Sequence, residues 1–180
     1  MLFRSFKAAV ANIAPLIEDR GIDEIYIDLS EFTEDSLSLA RRIKQAVFEA
    51  TGLTCSIGIT PNKLLSKIAS DLDKPDGITI LGPDDVPARL WPLAVRKING
   101  IGPKAGERLQ RMGIETVGQL AAAPVDELVR RFGATTGHWL NRAAHGIDER
   151  PIVTERDPKS ISRETTFERD LDAVRDRPEL

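Results

Sequence analysis

Two neighbouring acids, Asp23 and Glu24, are the side chains of this sequence best suited to chemistry on a phosphate. Carboxylate oxygens are hard ligands of the kind that Mg²⁺ prefers, and such an ion activates a hydroxyl and neutralises phosphate charge. Adjacent strand residues point to opposite faces, so both acids reach one site only if Asp23 lies in a turn, which Gly21 permits. Taken alone, the pair is more typical of a solvated acidic turn than of a metal site.

A glycine-rich stretch, Ile98–Lys104, has the composition of a nucleic-acid contact. Gly100 and Gly102 allow a tight connection with positive φ and let a phosphate approach the main chain. Pro103 suits the first turn of a helix, whose free N–H groups favour an anion, and Lys104 adds positive charge. The pattern predicts a helix-hairpin-helix motif that holds sugar-phosphate without reading sequence. The alternative is an ordinary αα-hairpin with a glycine turn.

Hydrophobic periodicity in the first half predicts alternating helices and strands. A helix is expected from Leu2 to Asp19, with a kink at Pro15, because apolar residues recur there at helical spacing. The further predicted elements are a strand Ile22–Leu29, a helix Ser36–Ala50 ended by Gly52, a strand Leu53–Thr60, a helix capped by Asn62, a turn Lys74–Gly77 and a strand Ile78–Leu81. Whether neighbouring strands run parallel or antiparallel stays open. The class is α+β, a mixed sheet with helices on at least one face.

Gly82-Pro83 marks a change in the pattern, because the chain from there to Gly146 is entirely helical in character. Residues 148–159 are polar, contain two prolines and are predicted to be a linker. Residues 159–169 are predicted to be extended, at the start of a further unit. The predicted domains are therefore 1–82, 83–147, the linker 148–159 and a last unit 160–180.

Composition and charge narrow the class of protein. The 180 residues are 41% hydrophobic and 29% charged, which is typical of a globular chain and excludes a disordered one. No apolar run is long enough for a membrane span, and no secretory signal precedes the first helix, so a cytoplasmic location is expected. The single cysteine, Cys55, excludes an internal disulfide and is expected to be a small core residue.

The net charge of −3 is unevenly distributed. Residues 89–142 hold nine Lys/Arg against four Asp/Glu, whereas the remainder holds 16 basic and 24 acidic residues. A basic block within an acidic chain suggests a polyanionic partner, and a solvated helical surface is an equally good interpretation on charge alone.

Several motifs, in order, resemble the Y-family DNA polymerases, and the match is best with the bacterial DinB-type group. They are the segments Gly21–Ser30, Cys55–Lys63, Lys67–Ser70, Lys74–Gly77, the glycine hairpin, and Ser160–Phe167. The resemblance covers nearly the whole chain and implies part of a palm in 1–82, a thumb in 83–147 and the start of a little finger in 160–180. The implied activity is template-directed DNA synthesis of the translesion type.

The resemblance also implies residue roles. Asp23 and Glu24 match two of the three metal-binding, catalytic carboxylates, with Mg²⁺ as cofactor, and Lys74 matches the lysine that contacts the triphosphate. The residues implied to meet DNA are Gly100, Ile101, Gly102 and Lys104, of which Ile101 is expected to serve as a packing anchor. Primer-template DNA and deoxynucleoside triphosphates are the implied partners. A sliding clamp is expected for the full-length family, although no clamp-binding tail is visible.

Other candidates carry two interpretations each. Lys63 and Lys67 either cover the site or are solvated. Asp28 is expected either to support the site or to be structural, without taking part in catalysis. His138 and His145 are expected at the surface or in packing of the helical half.

The sequence departs from the family at its amino end. Nothing before Gly21 matches the family's first metal-binding Asp, so we expect an incomplete polymerase, with weaker metal binding and a much lower rate. The alternative is a non-catalytic DNA-binding module that uses only the helical hairpin.

Overall fold

The computed structural model describes residues 2–155, 162 and 169. The predicted extended run 159–169 and the last unit 160–180 fall almost entirely outside the described residues. The regular elements are α1 (Leu2–Ala11), β1 (Ile17–Asp19), β2 (Ile25–Ile27), α2 (Ser36–Thr51), β3 (Ile57–Ile59), α3 (Lys63–Leu72), β4 (Ile78–Ile80), α4 (Pro103–Arg111), α5 (Val117–Ala122), α6 (Val125–Phe132) and α7 (Ala134–Ala144). Three short 3₁₀ or π turns lie between β4 and α4. The predicted α+β class is confirmed.

The predicted single helix from Leu2 to Asp19 is wrong. Helix α1 ends at Ala11, before Pro15, whose ring cannot continue a helix and disfavours helical geometry in the residue before it. The chain then turns into β1, which pairs antiparallel with β2 so that Ile17 faces Ile27. The prediction failed because a helix and the strand that follows it can bury their apolar residues in one core. The spacing of those residues therefore does not show where the helix ends.

The four strands form two separate two-stranded sheets. Strand β1 pairs antiparallel with β2, whereas β3 pairs parallel with β4. The predicted strands Ile22–Leu29 and Leu53–Thr60 are each reduced to three residues. Leu53, at the start of the predicted strand, is 54% exposed because it precedes the paired part of β3.

Local capping chemistry sets the limits of α2 and α3. The Asp35 carboxylate accepts a hydrogen bond from the Ser38 amide at the start of α2, and Gly52 ends that helix with a left-handed φ of 71°. The predicted cap at Asn62 is confirmed, since its side-chain oxygen accepts from the Leu65 amide at 2.9 Å. These caps place α3 directly after β3, with its apolar face toward the helical half.

Two apolar cores hold these elements together. The first lies between α1, α2 and the β1–β2 hairpin and contains Val10, Leu39, Ile43 and Val47. The second starts on α3 and continues through the helical half; its fully buried members include Leu65, Leu81, Leu90, Ile98, Leu109, Leu120 and Leu140. Helix α3 therefore packs on the helical half, across the predicted boundary at Gly82-Pro83.

The segment 147–155 has no regular structure, and it is held against the first half of the chain. The Leu64 amide donates to Asp148 Oδ2 at 3.1 Å, and the Val153 amide donates to Glu18 Oε2 at 3.0 Å. These contacts lie at both ends of the segment and fix its path along α3 and β1.

Candidate active site and nucleic-acid interface

The Asp23–Glu24 pair lies in the connection between β1 and β2. Gly21 adopts a φ of 150°, and its carbonyl oxygen accepts from Lys7 Nζ at 2.5 Å. Asp23 lies in the bend and β2 begins only at Ile25, so the alternation that would separate the acids has not started. Both acids border one open cavity of about 940 Å³.

Helix α3 and the turn after it bring two lysines to the same cavity. Lys67 Nζ forms an ion pair with the Glu24 carboxylate and lies 3.8 Å from Asp71 Oδ2. Lys74, in the turn after α3, lies 2.5 Å from the other Asp71 oxygen, and it too borders the cavity. Ion pairs of alternating charge therefore run from Glu24 through Lys67 and Asp71 to Lys74, and Glu24, Lys67 and Lys74 line the cavity.

The ion pair with Glu24 affects the titration of Lys67. Burial alone would lower the pKa of Lys67, but the hydrogen bond to Glu24 and the charge of Asp71 raise it above the ordinary value. Lys67 thus stays cationic at neutral pH. Glu24 is half exposed in this pair, so its carboxylate can exchange the lysine for another cation.

Asp23 and Glu24 are ligands that suit a magnesium ion whose remaining positions are filled by water and phosphate. Within residues 2–155, no group of three or more His, Cys, Asp or Glu is arranged to bind a metal. Mg²⁺ commonly binds through one or two carboxylates and completes its octahedron with water and substrate phosphates. Asp23 and Glu24 match that requirement in kind and in number.

Sequence reasoning missed Glu18, and it left Lys63 open between covering the site and being solvated. Lys63 is buried, not solvated, and its Nζ lies 2.7 Å from Glu18 Oε2. Glu18 stands in the stretch predicted as helix, so no local signal indicated a buried carboxylate. Tyr26 lies beside the pair, with its ring centroid 5.8 Å from Lys63 Nζ.

The predicted glycine hairpin has one glycine packed against a ring and one in open space. Gly100 has a φ of 107°, and an added Cβ would lie 2.9 Å from the Trp139 ring of α7. Gly102 begins α4 without a side-chain cap, and an added Cβ there would meet nothing within 4 Å. The exposed Lys104 follows in the first turn, while Ile101 is only 5% exposed, as expected of a packing anchor.

Part of the basic block in the helical half supports the fold. The Arg108 guanidinium stacks 4.6 Å from the centre of the Phe132 ring, and Arg89 donates to the carbonyl oxygen of Ile80 at 2.9 Å. Arg142 pairs with Glu149 at 2.8 Å. The charge count therefore overstates the cations directed toward a partner.

The remaining candidates have structural surroundings. Asp28 accepts from the Ser30 amide at 2.9 Å, an interaction that lowers the pKa of Asp28, with hydrogen bonding to Ser30 as the main cause. His145 meets the Trp91 ring edge-on at 6.5 Å, and His138 is exposed on α7. Cys55 is half-buried against the first core.

A mixed α/β layer bordered by acids and lysines, followed by a helical unit with a helix-hairpin-helix turn, is the arrangement of a polymerase palm and thumb. The impB/mucB/samB family matches residues 3–71, and the helix-hairpin-helix motif of the same family matches residues 83–114. DNA polymerase IV of Methanoculleus marisnigri is 47% identical over 165 residues, which cover 91% of this chain and 46% of that protein.

Solved structures agree with the sequence relatives. A Y-family DNA polymerase chimera superposes with a TM-score of 0.77 at 29% identity, over 87% of this chain and 46% of that one. A ternary complex of the polymerase Dbh superposes with a TM-score of 0.75 at 29% identity, over 85% of this chain and 47% of that one. The chain belongs to the DinB-type group of the Y-family DNA polymerases.

The chain spans about half the length of the curated relatives it matches. Across the part of the chain that the structure describes, no helix is both long and apolar enough to cross a membrane.

Proposed function

We propose that this chain carries the palm site and thumb of a translesion-type DNA polymerase, which adds deoxynucleotides to a primer strand as a template directs. The observation that carries the proposal is the shared cavity, which is lined by Asp23 and Glu24 and by two lysines, Lys67 on α3 and Lys74 in the turn after it. Acids for a divalent cation and lysines for phosphates are what a nucleotide with its metal requires. The names of the relatives support the reaction class.

In this proposal Asp23 and Glu24 hold Mg²⁺. When bound, the ion would lower the pKa of the primer hydroxyl and neutralise charge on the phosphates. The primer 3′ oxygen forms a bond to the α-phosphorus, and the bond from that phosphorus to its bridging oxygen breaks, so pyrophosphate leaves. Lys74 binds the triphosphate as a point charge, and Lys67 is free to do so once Glu24 takes a cation in its place.

In this proposal the helical hairpin binds the DNA backbone. The uncapped start of α4, with Gly102 open to solvent and Lys104 beside it, receives a phosphate of the duplex backbone. Contacts of this kind position DNA without reading its sequence. Primer-template DNA and deoxynucleoside triphosphates are therefore the proposed partners, and the sliding clamp stays a prediction from the resemblance.

A primer-extension assay with Mg²⁺ tests the proposal. The expected result is template-directed extension that the double variant Asp23→Asn/Glu24→Gln abolishes, because both acids proposed to hold the metal are then uncharged. Arg42→Met, which removes an exposed ion pair on α2, is the matched control and should extend as wild type. Extension that survives the double variant would contradict the assignment of these acids.

The second candidate is a non-catalytic module that binds the DNA backbone through the hairpin. The observation that favours it is the buried core of the helical half, which supports the hairpin through Ile98, Ile101 and Leu109. The two functions differ in nucleotide dependence. If duplex affinity is unchanged by deoxynucleotide with Mg²⁺ and by the double variant, the module is the better account.

A further inference from the structure

Asp76 adopts a backbone conformation that its surroundings must maintain. It has a φ of 60°, in the left-handed region, and is the one residue other than glycine with positive φ in the described part of the chain. Aspartate tolerates this region better than most residues, but the conformation still carries a free-energy cost. Asp76 lies two residues after Lys74, in the turn that joins α3 to β4.

Lys44, on α2, makes contacts suited to maintaining this conformation. Its Nζ donates to the Asp76 carbonyl oxygen at 2.7 Å, pairs with the Asp76 carboxylate, and donates to the Cys55 carbonyl oxygen at 2.5 Å. An ammonium group has three N–H donors, and here each has an acceptor. The Lys44 side chain is only 17% exposed, and its contact with the Cys55 carbonyl oxygen is partly buried, whereas the Asp76 side chain is 53% exposed.

The rest of the turn is fixed on either side of Asp76. The Gly77 carbonyl oxygen accepts from the Ile57 amide at 3.0 Å, which ties the turn to β3. A Cβ on Gly77 would lie 2.0 Å from the Asp73 carbonyl oxygen, so the chain is tightly folded there. Lys44 connects this turn to α2.

We propose that Lys44 is a positioning residue, which holds Asp76 in its left-handed conformation and thereby places Lys74 on the wall of the cavity for a nucleotide triphosphate. This inference rests on the proposed function of Lys74. Lys44 acts through the path of the main chain and does not touch the substrate itself.

Arg42 provides a matched comparison on the same helix. It makes one ion pair, with Glu34, and its side chain is 56% exposed. Removal of such a pair alters stability little, because solvent screens it. An effect specific to Lys44 therefore separates a positioning role from the general contribution of a cation on α2.

The experiment measures amide hydrogen exchange in residues 73–77 and the affinity for dATP with Mg²⁺ by calorimetry, in the whole chain. Lys44→Met should speed exchange in the turn and weaken dATP binding by about threefold to tenfold, the scale of one or two lost hydrogen bonds. Lys44→Arg should restore much of both, and Arg42→Met should change neither. If Lys44→Met does not fold, Asp76→Ala carries the test with the same expected result, because alanine disfavours a φ of 60°.

The outcomes separate this inference from the proposed function. Lys74→Met removes the proposed triphosphate contact directly, together with the exposed ion pair to Asp71. Unchanged dATP affinity in that variant would contradict the role of Lys74 and this inference with it. Weaker binding in Lys74→Met together with wild-type exchange and affinity in Lys44→Met would overturn the positioning role only.

Discussion

Lys63 Nζ lies 2.7 Å from Glu18 Oε2, and both side chains are buried although 45 residues separate them. Lys63 also donates to the Pro151 carbonyl oxygen at 2.6 Å, while Glu18 accepts from the Val153 amide. The pair thus joins β1, α3 and the segment 147–155 at one point. The direction in which the chain leaves the helical half depends on this contact.

Loss of the buried cation should destabilise the fold strongly. Lys63→Met leaves Glu18 charged and without its principal partner in a dry site, so we expect a loss of about 3–5 kcal/mol in the free energy of unfolding. Urea denaturation measures it. The double variant Glu18→Met/Lys63→Met removes both charges and should recover much of the loss. A single-variant loss below about 1 kcal/mol, the scale of an exposed pair, would show that water reaches the pair.

The two hairpin glycines should respond differently to alanine. Gly100→Ala places a methyl group against Trp139 at a φ of 107° and should cost about 1–3 kcal/mol in stability. Gly102→Ala has room and an ordinary φ of −73°, so its stability should stay within about 0.5 kcal/mol of wild type.

Gly102→Ala should nevertheless weaken duplex binding severalfold, because its methyl group occupies the space through which a phosphate would reach α4. Fluorescence anisotropy with a labelled duplex measures this. Unchanged affinity in the folded Gly102→Ala variant would place the DNA contact elsewhere.

Lys104 should contribute one phosphate contact. Replacement by Gln should weaken binding to all duplex sequences alike and reduce the slope of log affinity against log salt by about 1, since one fewer counterion is released. The measurement is a salt titration of duplex binding. Arg42→Met serves as the control, and an unchanged slope in Lys104→Gln would remove Lys104 from the interface.

Acid should release the segment 147–155 through Asp148. Burial alone would raise the pKa of Asp148, but hydrogen bonds from Arg150 and the Leu64 amide lower it below the ordinary 3.8. Because the folded pKa is depressed, the stabilisation is complete above the unfolded value and is lost as pH falls through the folded one.

The melting temperatures of wild type and Asp148→Ala should therefore differ most above about pH 5, and the difference should shrink as the pH falls below about 4 and through the lower pKa of the folded state. Thermal unfolding followed over this range by circular dichroism checks the prediction. A difference that stays constant or grows toward acid would contradict the assignment.

Short-range signals made parts of the fold predictable. Asn62 begins one helix and Gly52 ends another through local capping chemistry, so both helix ends can be predicted from the sequence. The turn position of Asp23 followed from Gly21. Strand lengths and the α1–β1 break were not predictable, because apolar spacing records which residues are buried and not the backbone that buries them.

The features that could not be predicted depend on contacts between residues that are far apart in the sequence. Glu18 and Lys63, or Lys44 and Asp76, are ordinary charged residues in the sequence, and only the fold brings them together. The cavity likewise depends on the relation between two sheets that no local pattern encodes. The resemblance to polymerases identified the acids and Lys74, but not the residues that hold them in place.

The central claim is that Asp23, Glu24 and Lys74 form one site for a metal-bound nucleotide. Its most direct test is paramagnetic broadening of backbone amide signals by Mn²⁺ in the presence of dATP. The account predicts broadening centred on Asp23, Glu24 and the turn around Lys74, lost in Asp23→Asn/Glu24→Gln and retained in Glu107→Gln, an exposed acid on α4. Broadening that persists in the double variant, or that centres away from this cavity, would contradict it.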